Sequence, residues 1–129
     1  MALIHPTMKQ LVLIATISLL LLSCEKDDLV PLEELPYWLI ARIEYDEQII
    51  EGSPRNYLAS GAWVRYEWNT EHYFEYWNLL SSAFPPIITF SGDTLDIYAN
   101  DSDSAYYQEK GCKKYVWKGP LFKDWMFKD

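Results

Sequence analysis

Glu67 and His72 are the residues in this chain whose types and spacing best suit proton transfer. If the residues between them form a tight hairpin, the carboxylate and the imidazole face each other and could share acid–base work. The same arrangement is also an ordinary cross-strand surface pair. Glu67, Glu71 and Glu75 could supply the two carboxylates of a glycosidase. The chain holds 19 acidic residues, however, so such groupings arise readily by chance. Asp101-Ser102-Asp103-Ser104 opens like a calcium loop but lacks the glycine and distal glutamate of an EF-hand. Turn chemistry explains the same residues. Zinc needs a cluster of His and Cys, and the two His and two Cys are scattered. Cys112 would need a nearby base to become a nucleophile. The one histidine after residue 24 is His72, far away in sequence. There is no nucleophile elbow, phosphate-cradling glycine loop or dinucleotide fingerprint. The expectation is a non-catalytic protein with no metal site and no cofactor.

The aromatic residues are the stronger lead. Six Trp, ten Tyr and five Phe all follow Cys24. Indole and phenol rings stack on the apolar faces of sugars and anchor protein interfaces at low entropic cost. Trp63, Trp68, Trp77, Tyr66, Tyr73 and Tyr76 are the candidate ligand-binding residues. The competing reading places most of them in the core, because a small β-domain needs large apolar side chains to fill it.

The elements that would position these residues read as short strands. Residues 37–45 alternate, with Leu39, Ala41, Ile43 and Tyr45 on one face, which predicts a half-buried strand. Residues 49–51 suit a returning strand. Ser53-Pro54 resembles a helix start, ended within two turns by Gly61. Residues 62–77 are dense in aromatic and β-branched residues and predict a hairpin turning at Asn69-Thr70. Thr is a poor occupant of such a turn, so a longer loop is an alternative. A two-residue turn puts Trp63, Arg65 and Glu67 on one face with His72, Phe74 and Tyr76. Val64, Tyr66 and Trp68 then share the other with Glu71, Tyr73, Glu75 and Trp77. Aromatics on both faces imply that both are covered or that one binds something.

Residues 87–90 and 94–98 flank Ser91-Gly92-Asp93 as a second hairpin. Residues 105–110 suit either a short helix or a strand. Residues 112–117 read as a strand, and 121–127 as an apolar tail that docks on the core. The sum is a mainly β fold: a small antiparallel β-sandwich or partly open barrel of six to seven short strands, with one or two short helices.

The N-terminus carries an address. Residues 11–22 are a twelve-residue apolar run preceded by Lys9. A bilayer span needs about 20 such residues, so the run fits a signal-peptide core. It ends in Leu21-Leu22-Ser23-Cys24, which resembles the lipobox of bacterial lipoproteins. The resemblance implies cleavage before Cys24 and acylation of Cys24. One acyl chain anchors only marginally, and several hold firmly. Glu25-Lys26-Asp27-Asp28 resembles the Lys-acid-acid export signal of surface lipoproteins in Bacteroidota-type bacteria. This implies an outer-membrane, lipid-anchored protein exposed at the cell surface. Met8-Lys9-Gln10 begins a complete signal by itself, so translation is expected to start at Met8. The remainder divides into a lipidated acidic tether, 24–36, and one small β-rich domain, 37–129. With Cys24 acylated, Cys112 is expected to be an odd thiol: buried, reactive or paired between molecules.

Charge is uneven. Residues 25–109 carry 17 acidic and four basic side chains, net −13, whereas 110–129 carry six lysines and two aspartates, net +4. An acidic body repels nucleic acid and anionic surfaces. The lysine-rich end suits an anionic glycan, an acidic protein face or a strand edge protected from aggregation. The expected function is a lipid-anchored binding or accessory protein for a glycan or a protein. The alternative is a periplasm-facing inhibitor of a cell-wall hydrolase, resembling small lysozyme-inhibitor lipoproteins, though without their disulfide.

Overall fold

The computed structural model describes residues 29–95 and 104–126. The signal, Cys24 and the acidic residues after it, residues 96–98 of the second hairpin, the Asp101–Asp103 stretch and residues 127–129 of the tail lie outside them. Helix α1 (Tyr37–Gly52) is followed by a hairpin of β1 (Gly61–Trp68) and β2 (Glu71–Asn78), a short β3 (Ile88–Thr89), a one-turn helix α2 (Ala105–Glu109) and β4 (Gly111–Lys118). The strands form one open antiparallel sheet in the order β3-β2-β1-β4. The fold is therefore β-rich, but the described strands number four, not six or seven. The sheet is neither sandwich nor barrel.

The largest correction concerns residues 37–51, read as two strands and found as one helix. Its buried residues are Leu39, Ile43, Asp46 and Ile50, spaced by four, three and four. That is the spacing of one helical face. Asp46 in the third position breaks the apolar pattern, leaving the alternation at 37–45 as the more visible signal. Helix start and stop are ordinary. The amides of Leu39 and Ile40 donate to the Pro36 carbonyl, and Ser53 N closes the last turn on Ile49 and Ile50. Ser53-Pro54 thus ends a helix; only a 3-10 turn, Tyr57–Ser60, follows before Gly61.

The hairpin register agrees with the two-residue turn. Trp68 pairs with Glu71, Glu67 with His72, Arg65 with Phe74 and Trp63 with Tyr76. Asn69 and Thr70 both take positive φ, 51° and 63°, the geometry that matches strand twist. Gly61 is required by packing, since a Cβ there would overlap the Tyr76 ring. The second hairpin is short. Thr89 N donates to Asp93 O and Leu95 N to Ile87 O, with one bridge from Ile88 to Thr94. Strand β4 has two irregularities against β1; one lies beside Cys112, whose φ is 53°.

Both faces of the sheet are covered. On one, Leu39 and Ile43 of α1 pack on Trp63, Phe74 and Val116. Val30 and Leu35 complete that cluster, so the packed body begins inside the segment expected to be a tether. On the other, Tyr106 of α2 packs with Tyr73 and Ile87. Among the described residues of the C-terminal tail, Phe122 is buried, and Leu121 and Trp125 are exposed. Among the described residues no helix is long and apolar enough to cross a membrane.

Candidate functional site

The two faces of the hairpin divide the six candidate aromatics. Tyr66, Trp68, Tyr73 and Trp77 lie on the α2 face, and Trp63 and Tyr76 on the α1 face. Trp63, Tyr66 and Tyr73 are buried, and the other three are half-buried. They do not form one platform. Trp68, Tyr73 and Tyr106 stack mutually at 5.5 to 5.8 Å, mostly edge to face, as core aromatics do.

On the α2 face the chain buries a charge. Glu75 is fully buried and accepts from the Tyr106 hydroxyl, from Trp77 Nε1 at 3.0 Å and from Lys110 Nζ at 3.0 Å. The Lys110 ammonium sits 3.9 Å from the Tyr66 ring centroid and 4.9 Å from that of Tyr107. Every acceptor need of the carboxylate is met, which is what makes its burial tolerable. Burial and the Glu75 charge push the Tyr107 hydroxyl up to about 12; the same two causes push Tyr106 higher still. This network pins α2 to the sheet.

Glu67 and His72 do meet, Oε1 to Nε2 at 3.1 Å, and both are substantially solvent-exposed. His72 lines an open cavity of about 430 Å³ with Glu71, Thr89, Phe90 and Ser91. Glu67 lies on the face opposite Glu71 and Glu75, so the three glutamates share no site. Cys112 is disulfide-bonded, so of the expected alternatives it is neither the buried nor the reactive free thiol. Among the described residues no group of three His, Cys, Asp or Glu side chains is placed to hold a metal.

The feature with the shape of a binding site lies on the α1 face. A cavity of about 420 Å³ is lined by Trp38, Arg42, Trp63, Tyr76, Pro86 and Ile88. That volume is within the usual range for small-ligand pockets. Trp38 and Trp63 meet edge to face at 5.9 Å, and Trp63 and Tyr76 are tilted at 5.3 Å. Trp38 is fixed by donating Nε1 to the Phe90 carbonyl at 2.9 Å and by packing on Gly92, whose φ is 96°. The Tyr76 hydroxyl accepts from Asn78 Nδ2 at 3.1 Å.

Behind the wall, Asp46 is buried one turn along α1 from Arg42, with Nε to Oδ1 at 3.3 Å. Neither Asp46 oxygen completes a well-aligned hydrogen bond. Burial raises its carboxyl above the usual range, and the Arg42 charge and the Trp63 indole pull against that effect. The pocket therefore offers ring faces, a phenol and a half-exposed guanidinium. Trp38 and Arg42 were not among the sequence candidates. Their signal was the i, i+4, i+8 spacing of Trp38, Arg42 and Asp46, legible only once residues 37–52 are known to be helical. No protein-family model, curated protein or solved structure matches the chain.

Proposed function

We propose that this chain is an outer-membrane lipoprotein, anchored through acylated Cys24 and displayed at the cell surface, that binds a saccharide without transforming it. The observation that carries the binding reading is the pocket of Trp38, Trp63 and Tyr76 with Arg42 at its wall. Trp38 and Tyr76, backed by the buried Trp63, present apolar ring surface for a pyranose, and the guanidinium supplies donors for its oxygens. The lipobox-like Leu21-Leu22-Ser23-Cys24 carries the anchoring reading.

The binding test is titration of the protein with a panel of oligosaccharides, followed by tryptophan emission. Binding in this pocket gives a saturable emission change that weakens about tenfold or more in Trp38→Phe and Arg42→Gln. A folded protein whose emission responds to no saccharide overturns the reading. The anchoring test is the intact mass of protein extracted from membranes. The expected result is a mass raised by the acyl groups on Cys24, and an unacylated mass overturns the anchoring reading.

A further inference from the structure

We propose that the outer edge of β4 and the turn after it form the face on which the protein rests against the anionic membrane that anchors it. This rests on the lipid-anchor reading above. It starts from where the N-terminal segment meets the domain. Val30 N donates to the Tyr115 carbonyl at 3.0 Å, so the chain leaves the body along the β4 edge. Five residues lie between Cys24 and Val30, and the stretch spans roughly 20 Å at full extension. An anchor at Cys24 thus holds this edge closest to the lipid.

The same edge carries the positive charge. Lys113 and Lys118 flank the Tyr115 ring, with Nζ 5.3 and 4.3 Å from its centroid. Lys123 follows in the turn and is exposed. Lys118 pairs with Asp124 at 2.8 Å in a solvent-open bridge, which anionic headgroups could compete for. Exposed apolar residues accompany these lysines. Trp125 is 78% exposed, Leu29 56% and Leu121 45%. The Tyr115 and Phe122 rings, 5.7 Å apart, tie the turn to the strand. Lysines beside an exposed Trp are what a surface at the headgroup level of a bilayer uses. Attraction of this kind acts within about 8 Å at physiological salt, and the short tether keeps the lysines near the lipid.

The remainder of the domain agrees with this orientation. The acidic residues of 44–109 would be repelled by the same headgroups. The pocket uses Trp63 of β1, Tyr76 of β2 and Ile88 beside them in β3. Strand β3 is three strand spacings, roughly 14 Å, from β4. Resting on β4 leaves the β3 wall of the pocket at the opposite edge of the sheet.

The test uses the lipidated protein in vesicles of phosphatidylethanolamine with phosphatidylglycerol, in vesicles of phosphatidylcholine, and in neutral detergent. Lysines are acylated with a water-soluble reagent and mapped by mass spectrometry, and intact mass reports the acyl state of Cys24 in the same sample. The expected result is labelling of Lys113, Lys118 and Lys123 slowed at least threefold in the anionic vesicles alone. Quenching by nitroxide lipid should fall in Trp125→Phe. Replacing the three lysines by Gln should abolish Trp125 quenching. Acylated Cys24 with equal labelling in all three media overturns the seating and leaves the anchor standing. Unacylated Cys24 in membrane-extracted protein overturns the anchor reading and this inference with it.

Discussion

Arg42 and Asp46 face each other one helical turn apart, with the Asp46 carboxylate 1% exposed and the Arg42 guanidinium 54% exposed. A buried acid is thus tethered to a cation that remains open to the pocket. Because burial outweighs the Arg42 attraction, the folded state holds the Asp46 proton more tightly than the unfolded state.

That inequality fixes a sign. A carboxyl raised by folding contributes full stability below its unfolded value of 3.8 and loses it as pH rises through the folded value. Asp46→Asn removes the titration. The stability of wild type relative to Asp46→Asn should fall as pH rises from 3.5 towards neutrality. Urea denaturation at a series of pH values measures it. A difference constant with pH would show that Asp46 is not penalised by burial.

Lys110 is the charge that balances Glu75 inside the α2 face. Lys110→Met leaves a buried carboxylate with two neutral donors, Tyr106 and Trp77. Breaking a buried pair from one side costs about 3–5 kcal/mol. The variant should lose stability on that scale at pH 7, and Glu75→Gln added to it should restore part of the loss. Chemical denaturation of the wild type, the single and the double variant supplies the comparison.

Thr70 occupies a left-handed turn position, φ 63°, where a β-branched side chain is strained by about 1–2 kcal/mol. Thr70→Gly converts the turn to Asn-Gly, the preferred hairpin dipeptide. The greater freedom of Gly in the unfolded chain offsets part of the gain. A net increase of about 1 kcal/mol, read as a higher melting temperature, is expected.

Trp125 is the most exposed of the six tryptophans, and Trp63 is buried. Acrylamide should therefore quench one red-shifted fraction easily and the rest poorly. Trp125→Phe should remove the accessible fraction. If the accessible fraction survives that substitution, one of the half-buried indoles is more open than its packing indicates.

The hairpin of β1 and β2 was legible in the residues themselves. A period of two leaves two choices of face, and the two-residue turn at Asn69-Thr70 selects the register that pairs Trp63 with Tyr76 and Glu67 with His72. Aromatics alternating onto each face implied that both are covered or that one binds something, and packing covers both. Helix α1 was not, since Asp46 occupies a core-facing position and hides the helical period behind the alternation at 37–45. The strand count erred for the same reason: two of the expected strands are this helix.

The pocket belongs to tertiary structure alone. It joins Trp38 and Arg42 of α1 to side chains 21 to 50 residues further on, and the Trp38 bond to Phe90 spans 52 positions. Burial of Glu75 is of the same kind, since its cation comes from 35 residues away. Local propensity and periodicity act over a few residues. Which helix crosses which strands, and which charges are then desolvated together, is decided by packing the whole chain.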